Sequence, residues 1–450
     1  MTAINKAIKW MQLPVPVAPL ITFRILFGSI MLLSTIRFWL NGWITTQYVT
    51  PKYHFTFMGF NWVQPLNSMG MHLVFIGIAL SALAIALGFW YRFAIVTFFL
   101  LFTYVELIDV TYYLNHYYFI SVVSFIMIWL PAGRFFAIDV KLNPATRITE
   151  VPKWMVGSIR LQLAIVYIFA GLAKLNPDWL LAAQPMKIWL PTKSHLPLIG
   201  NLMYKAWMAY FFSWFGALYD LFIVFFLLNR KTRFVAYLAV LAFHIATAIF
   251  FPAIGMFPYI MVLSTLIYFS GNFHLKLLGF FYASVENFKS KHIFYQPAFK
   301  KGMLTFFALF FLLQIIIPFR YLAYPGPLFW TEEGYRFSWR VMLMEKVGTA
   351  TFYVRDKTTK QTFEINNADF LSAQQEKMMA TQADLILRYA HYLKQIYTQK
   401  GIKEPEVYAQ VYVTLNGSRS AGFVDSSVDL ASQDLSFKHY KWILPFNPKP

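Results

Sequence analysis

Cysteine is absent from all 450 residues. Disulfides, thiolate chemistry and cysteine-ligated metals are therefore excluded. Charge is scarce as well: 13% of the residues are Asp, Glu, Lys or Arg. No Walker loop, dinucleotide glycine fingerprint or G-x-S-x-G elbow occurs. No histidine pair has metal-ligand spacing, so no metal is assigned. The apolar runs lack an evident ring of carboxylates, which argues against a pore. Internal repeats and low-complexity segments are also missing.

What is present is apolar. Hydrophobic residues make up 58% of the chain and aromatic ones 20%, with a mean hydropathy of +0.51. This is the composition of a polytopic helical membrane protein, not of a soluble globular one. The net charge of +19 would suggest nucleic acid in a soluble chain. Here the bases sit mostly in short loops between apolar runs, the usual signature of membrane topology, and nucleic acid is not a predicted partner.

Runs able to span occur at about 18–40, 71–90, 93–109, 117–132, 159–173, 206–228, 232–251, 256–272 and 303–318. The expectation is about nine spans, several of them short for a bilayer. The amino-terminal segment, with Lys6 and Lys9, reads as the flank of a retained first helix and not as a signal peptide. Basic loops alternate with charge-poor ones. The basic set holds Lys6 and Lys9, Arg92, Arg134 to Lys153, Arg230 to Arg233, and Lys276, Lys289, Lys291, Lys300 and Lys301. The positive-inside rule then puts the N-terminus in the cytoplasm and the carboxy-terminal region outside.

After Pro318 the pattern changes. Val341–Tyr353 and Val407–Leu415 alternate like strands, and Asn416-Gly417 is a hairpin signal that also fits a glycosylation sequon. Between them, Phe370–Tyr397 has helical apolar spacing. The predicted fold class is mainly α: a helical membrane domain, 1–320, followed by a smaller extracytoplasmic α+β domain, 321–450, with a β-sandwich-like sheet.

Chemistry concentrates at a few positions. Lys174 ends an apolar run, in Phe169-Ala-Gly-Leu-Ala-Lys-Leu-Asn-Pro-Asp-Trp179. An amine at the rim of hydrocarbon is costly when charged and a potential base when neutral; the plainer reading is a snorkelling lysine. His116 follows Asn115 in a tyrosine-rich helix mouth, and His244 lies within a span. An ionisable group inside a span needs a partner or a cavity, and a structural interhelical hydrogen bond would also satisfy it. His54 and His72 lie near interfaces and say less. On the predicted topology Asn115, His116, Lys174 and the region after 319 reach one non-cytoplasmic face. Acid–base chemistry in an apolar cavity, on an organic substrate entering from lipid, is the surviving catalytic option.

Several segments in order resemble the vitamin K-dependent γ-glutamyl carboxylase family. They are Ala18–Gly28, Leu114-Asn-His116, Phe169–Trp179, Phe243-His244, Ile254–Tyr259, Trp330–Met342 and Glu404–Tyr408. The resemblance covers nearly the whole chain, from an HTTM-type membrane domain to the lumenal domain. It implies that a lysine deprotonates a reduced naphthoquinone, which reacts with O2. The strong base so formed removes a γ-proton from peptidyl glutamate. The carbanion captures CO2 and the quinone leaves as epoxide. By match to the family's motifs, Lys174 is the base, with His116 and Asn115 beside it. Tyr167, His244, Tyr259, Tyr335 and Trp339 fall near the quinone or glutamate sites.

There are departures. Ala173 stands where animal members carry a second lysine. The animal disulfide is impossible, and the chain is much shorter than the animal enzymes, lacking part of their propeptide-binding surface. The short, cysteine-free architecture points to a bacterial inner membrane. The implied co-substrate is vitamin K or menaquinol, and the implied partners are the bilayer, a lipid quinone and a glutamate-containing protein or peptide. Two other readings of the residues stay open: a quinol epoxidase without carboxylation, and a non-enzymatic quinone- or lipid-binding protein. A transporter is a further class, which oxygen-independent flux in proteoliposomes would favour.

Overall fold

The computed structural model describes residues 3–281 and 292–447. Lys289 and Lys291, two of the predicted loop bases, lie outside the described residues. A short basic helix, α1 (Ala3–Met11), leads into strand β1 (Pro14–Pro16) and the first long apolar helix, α2 (Ala18–Leu40). Then come α3 (Ser68–Leu87), α4 (Tyr91–Ile108), α5 (Asn115–Ile128) and the connector α6 (Ile138–Leu142). Strand β2 (Glu150–Pro152) pairs antiparallel with β1 and staples the start of α2 to α7 (Lys153–Ala173). Two single turns, α8 (Pro177–Leu180) and α9 (Met186–Trp189), precede α10 (Ala206–Leu228), α11 (Arg233–Phe250), α12 (Phe257–Thr265), α13 (Gly271–Phe281) and α14 (Lys300–Ile316).

All nine predicted apolar runs are helical, but they are not equivalent. Among the described residues, seven helices are long and apolar enough to cross a membrane, whereas Asn115–Ile128 and Phe257–Tyr268 are shorter. Large apolar side chains cover the outer faces of the long helices: Leu80, Phe93, Phe225, Phe234 and Leu312 are all exposed. Water would not tolerate so much contiguous hydrocarbon, and lipid would. The chain is an integral membrane protein.

Two arginines inside the bundle, one buried and one partly buried, serve as staples. Arg24 donates to the carbonyls of Ala86 (3.3 Å) in the last turn of α3 and of Ala132 (3.2 Å) and Phe136 (2.7 Å) in the loop after α5. Arg160 does the same for Ile267 (2.9 Å) and Phe269 (3.2 Å) beyond α12. Helix-end carbonyls have no intrahelical partner, so a guanidinium fork answers several at once.

Beyond α14 a short turn, α15 (Leu328–Thr331), opens the small carboxy-terminal domain. Its sheet has strands β3 (Lys346–Asp356), β4 (Thr362–Ile365), β5 (Pro405–Leu415) and β6 (Ala421–Gly422) in the order β4-β3-β5-β6, all antiparallel. Tyr353 sits opposite Tyr408, and Ala350 opposite Val411. Helices α16 (Ala373–Met379) and α17 (Ala383–Gln399) pack on it, and Leu385, Ile386 and Leu393 join Phe352, Val407 and Val413 in one core. A single sheet backed by helices thus replaces the sandwich-like arrangement expected.

Two boundaries also move. The first strand begins at Lys346 and not at Val341, because 341–345 is loop. The predicted helix over Phe370–Tyr397 is two helices broken at 380–382, with a capping box of Ser372 and Gln375 starting the first. The Asn416-Gly417 turn forms as expected, both residues having positive φ (51° and 79°). The two domains interlock. Phe55 and Val110 from membrane-side loops enter the small domain's core. Gln375 Nε2 donates to Tyr53 O and to Asp109 Oδ2, each at 2.7 Å. His54 also contacts that carboxylate, and His72 bonds to Ser68 of its own helix and packs edge-on against Trp39 of α2, which accounts for both rings structurally.

Candidate active site

Lys174 caps the C-terminus of α7, its backbone N–H donating to Gly171 O. The residues after it form a second helix start. Asn176 Oδ1 accepts from Trp179 N (3.0 Å) and Pro177 occupies the first turn, so the chain reverses immediately beyond the lysine. Trp179 folds back and donates through Nε1 to Ser213 O of α10 (2.7 Å). The Lys-Leu-Asn-Pro-Asp-Trp run is thus a hinge that turns the lysine inward against α10.

There it meets an acid. Lys174 Nζ lies 2.6 Å from Asp220 Oδ2 and 3.3 Å from Ala170 O, with both charged side chains 8% exposed. Close helix packing makes the contact possible. A Cβ on Gly171 would lie 2.7 Å from the backbone N of Leu221, so only glycine lets α7 and α10 approach this closely. Two neutral arrangements are open to such a pair, differing in where a single shared proton sits. On nitrogen it gives ammonium and carboxylate, on oxygen amine and carboxylic acid, and the two arrangements have the same net charge. Asp220 was legible in principle, as an acid within an apolar span, by the rule that singled out His244.

Lys174 and Asp220 line a cavity of about 220 Å³ whose other walls are chiefly aromatic and aliphatic. Tyr167 and His244 also line it, and Tyr167 Oη is 3.1 Å from His244 Nε2. His244 Nδ1 is buried without a hydrogen-bond partner. With Tyr167 donating to Nε2, Nδ1 carries the ring proton and is a buried donor without a partner. Gly216 faces Trp179 and the lysine stem, and a Cβ there would take up space at 4.0 Å from Lys174 Cε.

Asn115 and His116 line a different cavity, of about 500 Å³, together with Tyr335, Arg336 and Arg340. The two cavities share Phe251, Ile254, Phe257, Val341 and Met342 as walls. Phe257 stands between the histidines, its ring 6.0 Å from that of His116 and 5.8 Å from that of His244. The expected single constellation is therefore two adjoining chambers. Asn115 starts α5 and ties it to the loop after α15: Nδ2 donates to Arg340 O (2.7 Å), and Oδ1 accepts from Tyr113 Oη (3.2 Å). That loop is conformationally strained, with Glu332, Phe337, Trp339 and Met342 all at positive φ. Burial pushes the Tyr335 phenol above its ordinary range, which keeps it a hydrogen-bond donor.

Two predicted residues lie elsewhere. Trp339 is buried and stacks on Tyr118 (4.7 Å between ring centroids), lining neither chamber. Tyr259 is 54% exposed on α12 and lines neither chamber, because that helix presents Phe257 and Met261 inward instead.

Residues 13–273 match the HTTM domain, and residues 299–449 match the lumenal domain of vitamin K-dependent gamma-carboxylase. No solved structure matches the chain. With the two domains matched in succession along one chain, and the first covering more than half of it, the protein belongs to the vitamin K-dependent gamma-glutamyl carboxylase family.

Proposed function

We propose that the protein is a membrane carboxylase of the peptidyl-glutamate type, in which oxygenation of a reduced naphthoquinone drives CO2 addition. The observation that carries this reading is the Lys174–Asp220 pair in the wall of a cavity lined chiefly by aromatic and aliphatic side chains. The cavity suits a flat apolar ring with oxygens at its edge. Its walls are largely hydrocarbon, and its polar lining residues include Lys174, Asp220, Tyr167 and His244. Lys174 and His244 would hold the two ends of a reduced naphthoquinone, menaquinol or vitamin K. When bound and oxygenated, that co-substrate supplies a base strong enough for an unactivated carbon acid.

The chain's own groups do the rest. Lys174 accepts a proton at Nζ, and Asp220 lets the amine be offered without first placing a net charge in the membrane. His244, oriented by Tyr167, donates a hydrogen bond at Nδ1. The second chamber takes the glutamyl side chain, with His116 and Asn115 at its inner end and Tyr335 as a protonated donor. The two chambers adjoin at Phe257, Val341 and Met342, so the base and the glutamyl γ-carbon would meet there, among apolar side chains that exclude water, which would otherwise quench a carbanion. We assign 1–320 to the inner membrane and 321–450 to its outer side, with the N-terminus cytoplasmic, on the basic loops. The partners are then a lipid quinone, O2, CO2 and a glutamate-containing peptide.

The test supplies purified protein with reduced menaquinone or vitamin K, labelled CO2 and a glutamyl peptide. Epoxide and incorporated label together support carboxylation. Epoxide alone identifies a quinol epoxidase. Neither product from folded protein favours a quinone- or lipid-binding role.

A further inference from the structure

Arg340 takes no part in the steps above, yet it is built into the second chamber. Its residue is 9% exposed and its Nε has no hydrogen-bond partner. Its position is fixed on two sides. The backbone carbonyl accepts from Asn115 Nδ2 at 2.7 Å, and the guanidinium carbon lies 4.5 Å from the Tyr321 ring centroid.

The neighbouring charges are spoken for. Arg336 pairs with Asp384 (2.6 Å) and also donates to Gln382. Glu332, the acid lining the same chamber, pairs with Lys346 (2.9 Å). Arg340 also borders an interfacial groove holding Asp178, whose Oδ2 accepts from Asn416 Nδ2 (2.8 Å). Among the described residues no carboxylate pairs with Arg340, and Lys193 is a third cation in the chamber lining, beside Arg336 and Arg340. A guanidinium desolvated without a counter-charge is costly, and a bound carboxylate would complete it through the planar fork.

We infer that Arg340 is the carboxylate-recognition group of the second chamber, selecting a glutamyl side chain over its neutral amide counterpart. The inference rests on the carboxylase reading and deepens it. Removing a γ-proton beside a carboxylate places a second negative charge on the same side chain. A fixed cation next to it offsets that charge where a neutral donor would not.

The experiment measures binding, independently of turnover. Fluorescence anisotropy of a labelled glutamyl peptide and its glutaminyl counterpart is recorded on full-length protein in detergent micelles, for wild type, R340Q and R340K. Wild type should prefer the glutamyl peptide. R340Q should weaken glutamyl binding by about tenfold to a hundredfold and abolish the preference. R340K, which keeps the charge and loses the fork, should fall between them, and it carries the test alone if R340Q does not fold. Wild-type affinity and preference in the folded variants would overturn the inference. Arg340-dependent binding without epoxide or label in wild type would instead sink the carboxylase reading and leave the recognition site standing.

Discussion

Lys174 and Asp220 face each other at 2.6 Å, nearly out of reach of solvent. Buried pairs of this kind gain little overall but are costly to break from one side. Asp220→Ala should therefore destabilise the protein by about 3–5 kcal/mol, read as a fall in thermal midpoint in detergent. The double variant Lys174→Met with Asp220→Leu should recover most of that stability while remaining inactive. A double variant as unstable as the single one would mean that the pair is not what holds α7 to α10. The lysine was legible from its motif and its place at the end of a span. The pairing was not, because Asp220 stands out as an acid within an apolar span but lies 46 positions away, and no local pattern joins the two. Tyr259 shows the opposite failure: a motif match placed it near the site, and the helix phase turned it outward.

The contact between α7 and α10 depends on one missing side chain. A Cβ at Gly171 would collide with backbone atoms of Leu221, which cannot yield as a side-chain tip can. Gly171→Ala should push the helices apart and lengthen the 2.6 Å contact. Epoxide formation should drop at least about tenfold, a barrier change of about 1.4 kcal/mol, while the protein still inserts and purifies. Wild-type rates in this variant would show that close approach is not required. Elements of this length were readable because apolar runs and caps are local signals, such as Asn176 before Pro177 and Ser372 before Gln375. The limits of the first strand and the break between α16 and α17 were not. Val341 and Met342 alternate like a strand but line the chambers. The chain at Ala380 presses its carbonyl onto Gly348 of β3, a contact no local pattern encodes.

The molecule joins a lipid-embedded chamber to one roofed by the small domain, and that roof must stay docked. Within it, Arg336 and Asp384 tie the chamber-lining loop after α15 to α17. Burial penalises the Asp384 carboxylate, but the attraction and hydrogen bonds of Arg336 outweigh this and keep the carboxyl below its ordinary value of 3.8. A carboxyl depressed in the folded state contributes stability that is present above its unfolded value and lost as pH falls through the folded one. The small domain should therefore loosen as pH drops below 3.8, and Asp384→Asn should flatten that part of the profile. Hydrogen exchange across α17 at stepped pH would show it, and identical profiles would exclude the pair as the cause. That two domains would meet was legible from composition, whereas the division into two chambers was not, since Phe257 and Met342 look like ordinary core residues in sequence. The most direct measurement supplies reduced naphthoquinone, O2, labelled CO2 and a glutamyl peptide to wild type and to Lys174→Met. Wild type should yield epoxide and labelled peptide, and the variant should lose both by about 10²–10⁴-fold, the range for removing a general base. Neither product from folded wild type, or equal turnover in the variant, would contradict a carboxylase built on Lys174.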